Sequence, residues 1–354
     1  MQTRLKTIRE WMAVQHLDAL WIHTYENRRY VSRFTGSNGY LFITNNQAKL
    51  ITDQRYKDQA KEETEGFEVI CHGLDRFTTF NEVIPSRKAC RIGFEANDMP
   101  VTFYQQLSAI SSKVEWVPFT DEFLHMRKIK DDEEIQILRE AIARSDQAFA
   151  SLLPLLKVGM TEKQVRMELE YQMAKWGNEG PAFGTIIASD IRAAFPHAGV
   201  TENQVKQNRF LLIDFGMKYE GYMSDMTRTI ATGHPPSQLQ DYYQLVLQSL
   251  EKSIEAIKPG VRAGDIDLVA RQIFAEAGVE PFSLRGLGHG VGLQIHEYPR
   301  VVLDGDEIIQ PGMVFTVEPG LYIPEQVGVR IEDIVLVTED GCEVLTKTSR
   351  EIQI

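Results

Sequence analysis

The sequence predicts an α/β domain followed by a larger α+β domain that contains an internal repeat. Short apolar runs alternate with helix-like segments through the first third of the 354 residues, and this alternation is typical of an α/β domain. A dense charge run at residues 126–134 then marks a change in composition. Beyond it, two stretches repeat the same order of elements. We therefore place the domains at residues 1–122 and 123–354.

Hydrophobic periodicity predicts the elements of the first domain. Residues 1–15 carry apolar side chains at helical spacing and predict an amphipathic helix. Residues 40–44 and 49–52 predict a pair of strands joined by a turn at Asn45 and Asn46. Further strands are predicted at residues 17–22, 67–71, 91–93 and 114–117, and a polar helix at residues 53–65.

The second domain is predicted to begin with a long helix. The acidic residues Asp131–Glu134 precede the run Ile135–Ala150, which is rich in Ala, Ile and Leu. Acidic side chains stabilise the first turn of a helix because its backbone N–H groups carry partial positive charge.

An internal repeat follows, in which Lys157–Met160 resembles Lys258–Val261. The same offset of 101 residues aligns further pairs: Val165 with Ile266, Ala174 with Ala275, and Gly177 with Gly278. Each copy has a helical stretch, a glycine turn, a second helix that ends at glycine, and then strand-like sequence. Duplication of one α+β half predicts a site between the halves, where polar groups from both converge.

Composition excludes several classes of protein. The chain has 38 Lys and Arg against 50 Asp and Glu, a net charge of -12, so the phosphates of a nucleic acid would be repelled. Its three cysteines show neither metal-ligand spacing nor a disulfide framework, which favours a reducing cytoplasm. No stretch approaches the roughly 18 apolar residues of a membrane span, and no signal peptide is evident. We expect a soluble cytoplasmic protein that binds neither nucleic acid nor membrane.

Four carboxylates in the last third of the chain stand in apolar, strand-like surroundings. Asp214 ends the apolar run 210–213, and Asp225 follows eleven residues later. Glu318 and Glu332 lie within two further apolar runs. A fully buried carboxylate is rare unless a partner or a metal ion compensates its charge. Each aspartate taken alone also fits a turn or another structural role.

A hairpin through Lys218–Gly221 would bring Asp214 and Asp225 side by side, where they repel each other unless a cation lies between them. His289 and His296 are seven residues apart in a glycine-rich segment, which suggests a backbone that passes close to another group. Two histidines in this setting favour a site over two separate structural roles.

The candidate ligand set is two Asp, two Glu and one His. It is rich in oxygen and contains no Cys, which suits Mn²⁺, with Co²⁺, Fe²⁺ or Zn²⁺ as alternatives, and argues against a structural zinc finger. Four ionised carboxylates carry a charge of about -4, which matches two divalent ions better than one. A pair of metal ions can activate a bridging water for hydrolysis.

Taken as a set, these motifs resemble the metallopeptidase family with the pita-bread fold, which includes methionine aminopeptidase, aminopeptidase P and prolidase. The resemblance covers residues 125–350. Residues 1–120 resemble the creatinase-type N-terminal domain, which aminopeptidase P and prolidase have and methionine aminopeptidase lacks. One position departs from the family pattern, because Ser189 is followed by Asp190 where the family usually has glycine. The resemblance also implies a homodimer.

The resemblance assigns a role to each member of the ligand set. It implies that Asp225 and Glu332 bridge two metal ions and that Asp214 binds one of them. His289 and Glu318 then bind the other ion. Glu318 is also the carboxylate expected to take a proton during hydrolysis.

Further residues match the substrate site of the family. His197 and His296 are expected to hydrogen-bond the substrate carbonyl or the developing oxyanion. Arg330 is expected near Glu332, at the substrate site. Arg300 follows His296 by four residues and resembles the prolidase arginine that binds the carboxylate of the substrate proline. A surface role for Arg300 is the alternative.

We expect a hydrolase that cleaves small peptides with proline at the second position, most simply an Xaa-Pro dipeptidase. Aminopeptidase P activity on longer peptides is the nearest alternative, and Arg300 favours the dipeptidase. Metal-free amidino hydrolysis, as in creatinase, and a non-catalytic binding role are further alternatives. Relatives with those functions have lost the ligands that this sequence retains.

Overall fold

A computed structural model of the chain describes residues 2–85, 89–177 and 179–354. It divides into two units, Met1–Phe123 and Leu124–Ile354. The predicted domain boundary, between residues 122 and 123, lies one residue before this division. No helix in these described ranges is sufficiently long and apolar to cross a membrane.

The first unit alternates helices and strands, as the sequence predicts. A short 3-10 helix at Gln54–Tyr56 precedes α3. The elements in chain order are α1 (Gln2–Val14), β1 (Ala19–Ile22), α2 (Tyr25–Ser32), β2 (Tyr40–Thr44), β3 (Ala48–Asp53), α3 (Lys57–Glu63), β4 (Glu68–His72), α4 (Arg76–Val83), β5 (Cys90–Glu95), α5 (Val101–Ser108) and β6 (Val114–Phe119). The helix α6 (Glu122–Arg127) follows.

The strands of the first unit form one sheet in the order β4-β3-β2-β1-β5-β6. Strand β2 is antiparallel to β1 and β3, whereas β1–β5, β5–β6 and β3–β4 are parallel pairs. The predicted strand pair at residues 40–44 and 49–52 is therefore confirmed. Because β1 and β5 are parallel neighbours, their carboxyl ends meet at one edge of the sheet, at His23 and Glu95.

Aromatic side chains form much of the core of this unit. Trp21 on β1 packs edge-on against Phe80 on α4, with ring centroids 4.8 Å apart. Tyr40 on β2 stacks on Phe103 of α5 at 5.7 Å. Burial of each such ring contributes about 1.5–3 kcal/mol, so these contacts fix both helices on this face of the sheet.

The second unit begins with the predicted long helix. Its elements in chain order are α7 (Asp132–Leu152), α8 (Glu162–Lys175), β7 (Ile186–Ser189), β8 (Arg209–Phe215), β9 (Lys218–Tyr219), β10 (Tyr222–Met223), β11 (Met226–Thr232), α9 (Ser237–Glu255), α10 (Ala263–Glu276), β12 (Gly288–Gly290), β13 (Glu297–Val301), β14 (Val314–Val317), β15 (Gly320–Ile323), β16 (Val327–Arg330), β17 (Asp333–Val337) and β18 (Cys342–Val344). Asp131 caps α7, because its carboxylate accepts from the backbone N–H of Glu134 at 3.0 Å while the Glu134 side chain accepts from the Asp131 N–H.

Two larger sheets, two helix pairs and the two-stranded sheets β9–β10 and β15–β16 build this unit. Strands β11-β8-β7 form one sheet, and β13-β12-β14-β17-β18 form another. Phe149 of α7 and Leu169 of α8 share a buried cluster with Phe215 of β8. Leu250 of α9 and Phe274 of α10 share a second cluster with the other sheet. Each half of the unit is thus a pair of helices packed on strands.

The structure reproduces the internal repeat. Helix α10 begins and ends 101 residues after α8. Gly159 and Gly260 precede these helices with φ angles of 92° and 88°, a conformation that glycine adopts without strain. The N–H of Gly159 donates to Val205 O at 2.8 Å, and that of Gly260 donates to Ile309 O at 2.9 Å. The correspondence extends from the helices to the strands that follow them, so duplication explains the order of elements.

Candidate active site

The first half of the second unit contributes two aspartates. Strands β8 and β11 are antiparallel, with Asp214 opposite Thr227 and Phe215 opposite Met226. Asp225 immediately precedes β11, so the chain reversal between the strands brings it back toward Asp214. The hairpin β9–β10 forms this reversal, as the sequence predicts.

The second half contributes one histidine and two glutamates. His289 lies on β12, Glu318 directly follows β14, and Glu332 directly precedes β17. Strands β14 and β17 are paired with Val317 opposite Asp333, so Glu318 and Glu332 leave the same end of this ladder. The sequence places the two glutamates inside strands. In the structure they lie just beyond strand ends.

These side chains converge between the two halves. Ligand atoms of Asp225, His289 and Glu332 all lie within 4.8 Å of one another. His289 Nε2 is 3.6 Å from Asp225 Oδ2 and 3.3 Å from Glu318 Oε1. Its Nδ1 lies 3.2 Å from Gly290 O, which can only accept a hydrogen bond. This bond places a proton on Nδ1 and directs Nε2 at the carboxylates.

The carboxylates strongly perturb one another's pKa values. Burial and the charges of Glu332, Asp214 and Glu318 raise the pKa of Asp225 well above its usual range. Burial and the charges of Glu318 and Asp214 do the same to the pKa of Glu332. Glu318 differs, because burial raises its pKa but the hydrogen bonds and charges of His289, Arg330 and Thr316 together lower it below its usual value. The protein alone therefore does not compensate this concentration of negative charge.

Asp214 and Arg330 form a buried ion pair within the site. The Nη2 of Arg330 donates to Asp214 Oδ2 at 2.5 Å, and burial still raises the pKa of Asp214 despite this charge. Arg330 also donates to Thr227 Oγ1 at 3.0 Å and to the Tyr322 hydroxyl at 2.6 Å. These contacts place Arg330 behind Asp214, where it holds the carboxylate. Its predicted contact with substrate stays a prediction.

Two buried oxygens test whether this set suits a metal ion. Among the described residues, Asp214 Oδ1 and Glu332 Oε1 are buried without a hydrogen-bond partner. A buried oxygen without a partner costs about 1–3 kcal/mol, more for a charged group, and divalent cations bind such oxygens. Both atoms belong to the predicted ligand set. The residues therefore fit divalent metal ions.

A cavity of about 810 Å³ opens onto this cluster. His197, His296 and Arg300 line it, as predicted for residues that contact substrate. The rings of His296 and His289 meet edge-on with centroids 4.3 Å apart. Burial, together with the nearby charge of His289, lowers the pKa of His296. Arg300 lies on β13 opposite His289, and its guanidinium carbon is 5.5 Å from the Tyr298 ring centroid.

Glycines in the histidine segment allow close packing of backbone, as the sequence suggests. A Cβ atom on Gly288 would lie 1.9 Å from Thr316 O, and one on Gly290 would lie 2.2 Å from Tyr298 O. No side chain fits at either distance. The close neighbours are adjacent strands, so these glycines serve to bring β12 near β13 and β14.

Asp190 occupies the position where the sequence departs from the family pattern. Its φ angle is 61°, in the left-handed region that glycine favours and that aspartate tolerates better than most residues. Lys206 and Arg209 lie 2.7 Å and 3.1 Å from its carboxylate oxygens. These ion pairs explain how the loop keeps its conformation without glycine.

Sequence reasoning missed two threonines that organise the site. Thr227 Oγ1 donates to Glu332 Oε2 at 2.7 Å and accepts from Arg330 Nε at 3.0 Å, which links Glu332 to the ion pair of Arg330 and Asp214. Thr316 Oγ1 donates to Glu318 Oε1 at 3.0 Å. Each threonine is two residues from a predicted ligand, and side chains at this spacing share one face of a strand. That periodicity is the signal by which they could have been found.

Two family models match the chain. Residues 4–129 match the creatinase/prolidase N-terminal domain, and residues 136–339 match metallopeptidase family M24. The chain belongs to metallopeptidase family M24. Members of this family depend on divalent metal ions, in agreement with the predicted ligand set. The pita-bread fold and the creatinase-type N-terminal domain are therefore confirmed.

Relatives in the M24 family extend over the whole chain. An Xaa-Pro dipeptidase of Pyrococcus horikoshii is 36% identical over 354 residues, with 99% of each chain covered. The solved Xaa-Pro dipeptidase from Bacillus anthracis superposes with a TM-score of 0.94 at 34% identity, covering 100% of this chain and 99% of that one. The solved X-Pro aminopeptidase from Thermotoga maritima has a TM-score of 0.88 at 36% identity, covering 96% and 98%.

Proposed function

We propose that this metallopeptidase hydrolyses Xaa-Pro dipeptides. The observation that carries the proposal is one cavity in which the acidic cluster, two histidines and Arg300 face the same space. Its volume of about 810 Å³ lies in the range of roughly 300–1,000 Å³ typical of small-molecule sites. The full-length relatives named Xaa-Pro dipeptidase support the same substrate class.

Two divalent ions, most simply Mn²⁺, are the proposed cofactor. Asp225 and Glu332 would bridge them, Asp214 would bind one, and His289 with Glu318 would bind the other. The partnerless oxygens of Asp214 and Glu332 support this assignment. Such ions supply a polarised substrate carbonyl and a water that ionises near neutral pH.

The protein residues have separate parts in the reaction. Glu318 accepts the proton that the attacking water loses, since its oxygens face the cavity and Thr316 and His289 fix its orientation. His197 and His296 line the same cavity and act as donors to the substrate carbonyl, which becomes an oxyanion on attack. Arg330 and Thr227 hold Asp214 and Glu332 in place, so their contribution is positioning.

Arg300 is the proposed recognition element for a dipeptide. A free proline carboxylate carries two oxygens, which match the planar guanidinium fork. Arg300 is exposed, lines the cavity and stacks near Tyr298, and no carboxylate among the described residues pairs with it. Its charge is therefore available to substrate.

Hydrolysis of Leu-Pro, Leu-Pro-Gly and Leu-Gly by the purified chain tests the proposal. The protein is first stripped with chelator, and Mn²⁺, Co²⁺ or Zn²⁺ is then added back. We expect metal-dependent cleavage with Leu-Pro preferred over both other peptides. Failure to cleave any Xaa-Pro bond with any of these ions would contradict the proposal. Faster cleavage of Leu-Pro-Gly than of Leu-Pro would indicate an aminopeptidase in place of a dipeptidase.

Aminopeptidase P activity is the second candidate. The X-Pro aminopeptidase from Thermotoga maritima is as similar to this chain in sequence as the dipeptidases are, at 36% identity. An aminopeptidase must leave room for a chain that continues beyond proline, whereas Arg300 here provides a charge at that side. The tripeptide comparison decides between the two. The predicted homodimer and cytoplasmic location stay predictions.

A further inference from the structure

A second cavity, of about 330 Å³, lies in the first unit. It opens at the sheet edge where the carboxyl ends of β1 and β5 meet. Ligands of open α/β sheets characteristically bind in crevices at the carboxyl ends of strands. The lining residues that bear on its chemistry are His23, Arg28, Asn38, Tyr40, Arg76 and Phe103.

Arg28 brings a buried positive charge to this cavity. It is only 2% exposed, and its Nη1 and Nη2 donate to Gly39 O at 2.9 Å and Gly36 O at 2.6 Å. Within the described part of the chain its Nε has no hydrogen-bond partner, and the residue forms no ion pair with a carboxylate. A buried charge is costly unless an opposite charge compensates it. The two carbonyls explain how Arg28 holds the loop at residues 36–39, but they are neutral and do not pair its charge with an anion.

Arg76 brings a second cation from the start of α4. Its Nη1 donates to the Tyr40 hydroxyl at 2.8 Å, and its guanidinium carbon is 4.9 Å from the Phe103 ring centroid. It too forms no ion pair with a carboxylate of the described residues. The charges of Arg76 and Arg28 both act on the Tyr40 hydroxyl and oppose the rise in its pKa that burial causes. The two guanidinium groups therefore lie around the same tyrosine.

Glu95, the nearest buried carboxylate, already has its own partners. It accepts from Asn27 Nδ2 at 2.6 Å and from the backbone N–H of Thr24 at 2.9 Å, and it lies 2.9 Å from His23 Nδ1. The hydrogen bond and charge of His23 lower the pKa of Glu95 although burial opposes this. This carboxylate is thus committed to His23 and to the start of α2. Its charge and that of Glu26 act on Arg28 from a distance, but neither carboxylate forms an ion pair with Arg28 or Arg76.

We propose that this cavity binds a small molecule carrying an oxyanion, a carboxylate or a phosphate, held by Arg28 and Arg76. The guanidinium fork matches either group, and Asn38 and Tyr40 add neutral polar contacts. Phe103 provides an apolar wall for the rest of the ligand. The volume suits a molecule at the small end of the ligand range. This cavity is distinct from the candidate peptidase site, since every candidate metal ligand is in the second unit.

Fluorine NMR of the full chain labelled with 5-fluorotryptophan tests this proposal. The ring centroid of Trp21 lies 5.6 Å from that of Tyr40, which lines the cavity, and Trp176 of the second unit serves as the reference signal. The Trp21 signal is assigned with Trp21→Phe. Acetate, L-proline and inorganic phosphate are titrated at constant ionic strength. We expect at least one probe to shift the Trp21 signal saturably, and the comparison of probes separates a carboxylate site from a phosphate site.

Two substitutions at Arg76 and one matched control complete the experiment. Arg76→Met keeps the packing on Phe103 and removes the charge, so binding should weaken by at least about tenfold. Arg76→Lys keeps the charge but lacks the guanidinium fork, so its affinity for the probe should lie between those of Arg76→Met and the wild type. Arg9→Met removes another half-buried arginine with one backbone contact, to Thr44 O at 3.0 Å, at the opposite end of β2. Unchanged binding in both Arg76 variants, or no saturable shift with any probe, would overturn the proposal.

Discussion

Glu332 and Asp333 are adjacent, and each is only 1% exposed, but their surroundings differ completely. Asp333 accepts from Arg228 Nη2 at 2.7 Å and from Arg350 Nε at 2.8 Å. Glu332 accepts from Thr227 Oγ1, and its other oxygen has no partner among the described residues. Neighbouring side chains at the start of a strand point to opposite faces, so one faces the packed interior and the other the cavity.

Glu297 repeats the contrast beside His296. Lys130 and Arg127 lie 3.1 Å and 3.2 Å from its oxygens. Their charges lower the pKa of Glu297 although burial opposes this, whereas the pKa of Glu332 rises. Burial alone therefore does not separate structural carboxylates from site carboxylates. What distinguishes Glu297 and Asp333 from Glu332 is a protein cation beside the carboxylate, because a buried carboxylate left without one requires a cation from solution.

The largest effect is expected at Glu332 and Asp225, the two carboxylates of the cluster that form no ion pair with a lysine or arginine of the described residues. Glu332→Gln should abolish dipeptide hydrolysis and reduce bound metal, since it removes a charge that would bridge both ions. Asp225→Ala should do the same. Without metal, the free energy of unfolding of each variant should be no lower than that of the wild type, because repulsion within the cluster is relieved. Metal content by mass spectrometry and urea unfolding check both statements. Full activity with both ions retained in Asp225→Ala would show that the ligand assignment is wrong.

Glu318→Gln should lower kcat by about 10²–10⁴, the usual contribution of a general acid–base group. The substitution keeps the size of the side chain, so substrate affinity should change much less. Steady-state kinetics with Leu-Pro separates the two parameters. Thr316→Val is a milder companion, since it removes only the hydrogen bond that orients Glu318. Near-normal kcat in Glu318→Gln would exclude the proton-transfer role.

Asp333→Asn should act on stability and not on chemistry. It leaves the Arg228 guanidinium, which is fully buried, without its ion-pair partner. Breaking a buried ion pair in this way costs about 3–5 kcal/mol. Urea unfolding should show the loss, while Leu-Pro turnover of the folded fraction stays near that of wild type. A stable but inactive Asp333→Asn variant would erase the distinction from Glu332.

Arg300→Ala should raise KM for Leu-Pro by an amount worth about 1.5–3 kcal/mol, as for a charge-assisted hydrogen bond. Leu-Pro amide has no carboxylate to lose and should respond much less. Arg91→Ala, at a partly exposed arginine of the first unit, provides a control for the loss of a positive charge. An equal rise in KM for the acid and the amide would contradict carboxylate recognition by Arg300.

The smallest effect is expected on stability, at the buried pair of His23 and Glu95, whose charges compensate each other. Glu95 and the carboxylate of Asp98 raise the pKa of His23 above 6.5 although burial lowers it, and the pKa of Glu95 falls below 4.5. The histidine therefore stabilises the folded state below pH 6.5, and this contribution is lost as pH rises through its folded pKa. The glutamate contributes above pH 4.5 and loses this as pH falls through its own folded pKa.

His23→Gln should consequently cost about 1–3 kcal/mol, with the largest difference from wild type between pH 4.5 and 6.5. Urea unfolding across this range and above it measures the difference. A cost that stays constant from pH 5 to pH 9 would show that the pair contributes no charge-dependent stability.

Much of the site follows from local sequence. The hairpin that brings Asp225 toward Asp214 is encoded within a dozen residues, and strand periodicity marks Thr227 and Thr316 as companions of Asp225 and Glu318. The charge run before α7 contains its own N-cap. Arg330 shows where this reasoning ends, because its neighbour in sequence is Glu332 but its ion-pair partner is Asp214, 116 residues away.

The sequence by itself determined the order of elements, the duplication and the identity of the candidate ligands, since these depend on periodicity and on residue type at short spacing. Only the tertiary structure decided which buried charges are balanced. Asp333 meets Arg228 across 105 residues, and Arg28 and Arg76 share a cavity although they lie on different helices. Such pairings depend on which strands and helices become neighbours, and no local pattern records them. The tertiary pairing of charges therefore distinguishes the environment of Glu332 from that of Asp333 and forms the second charged cavity.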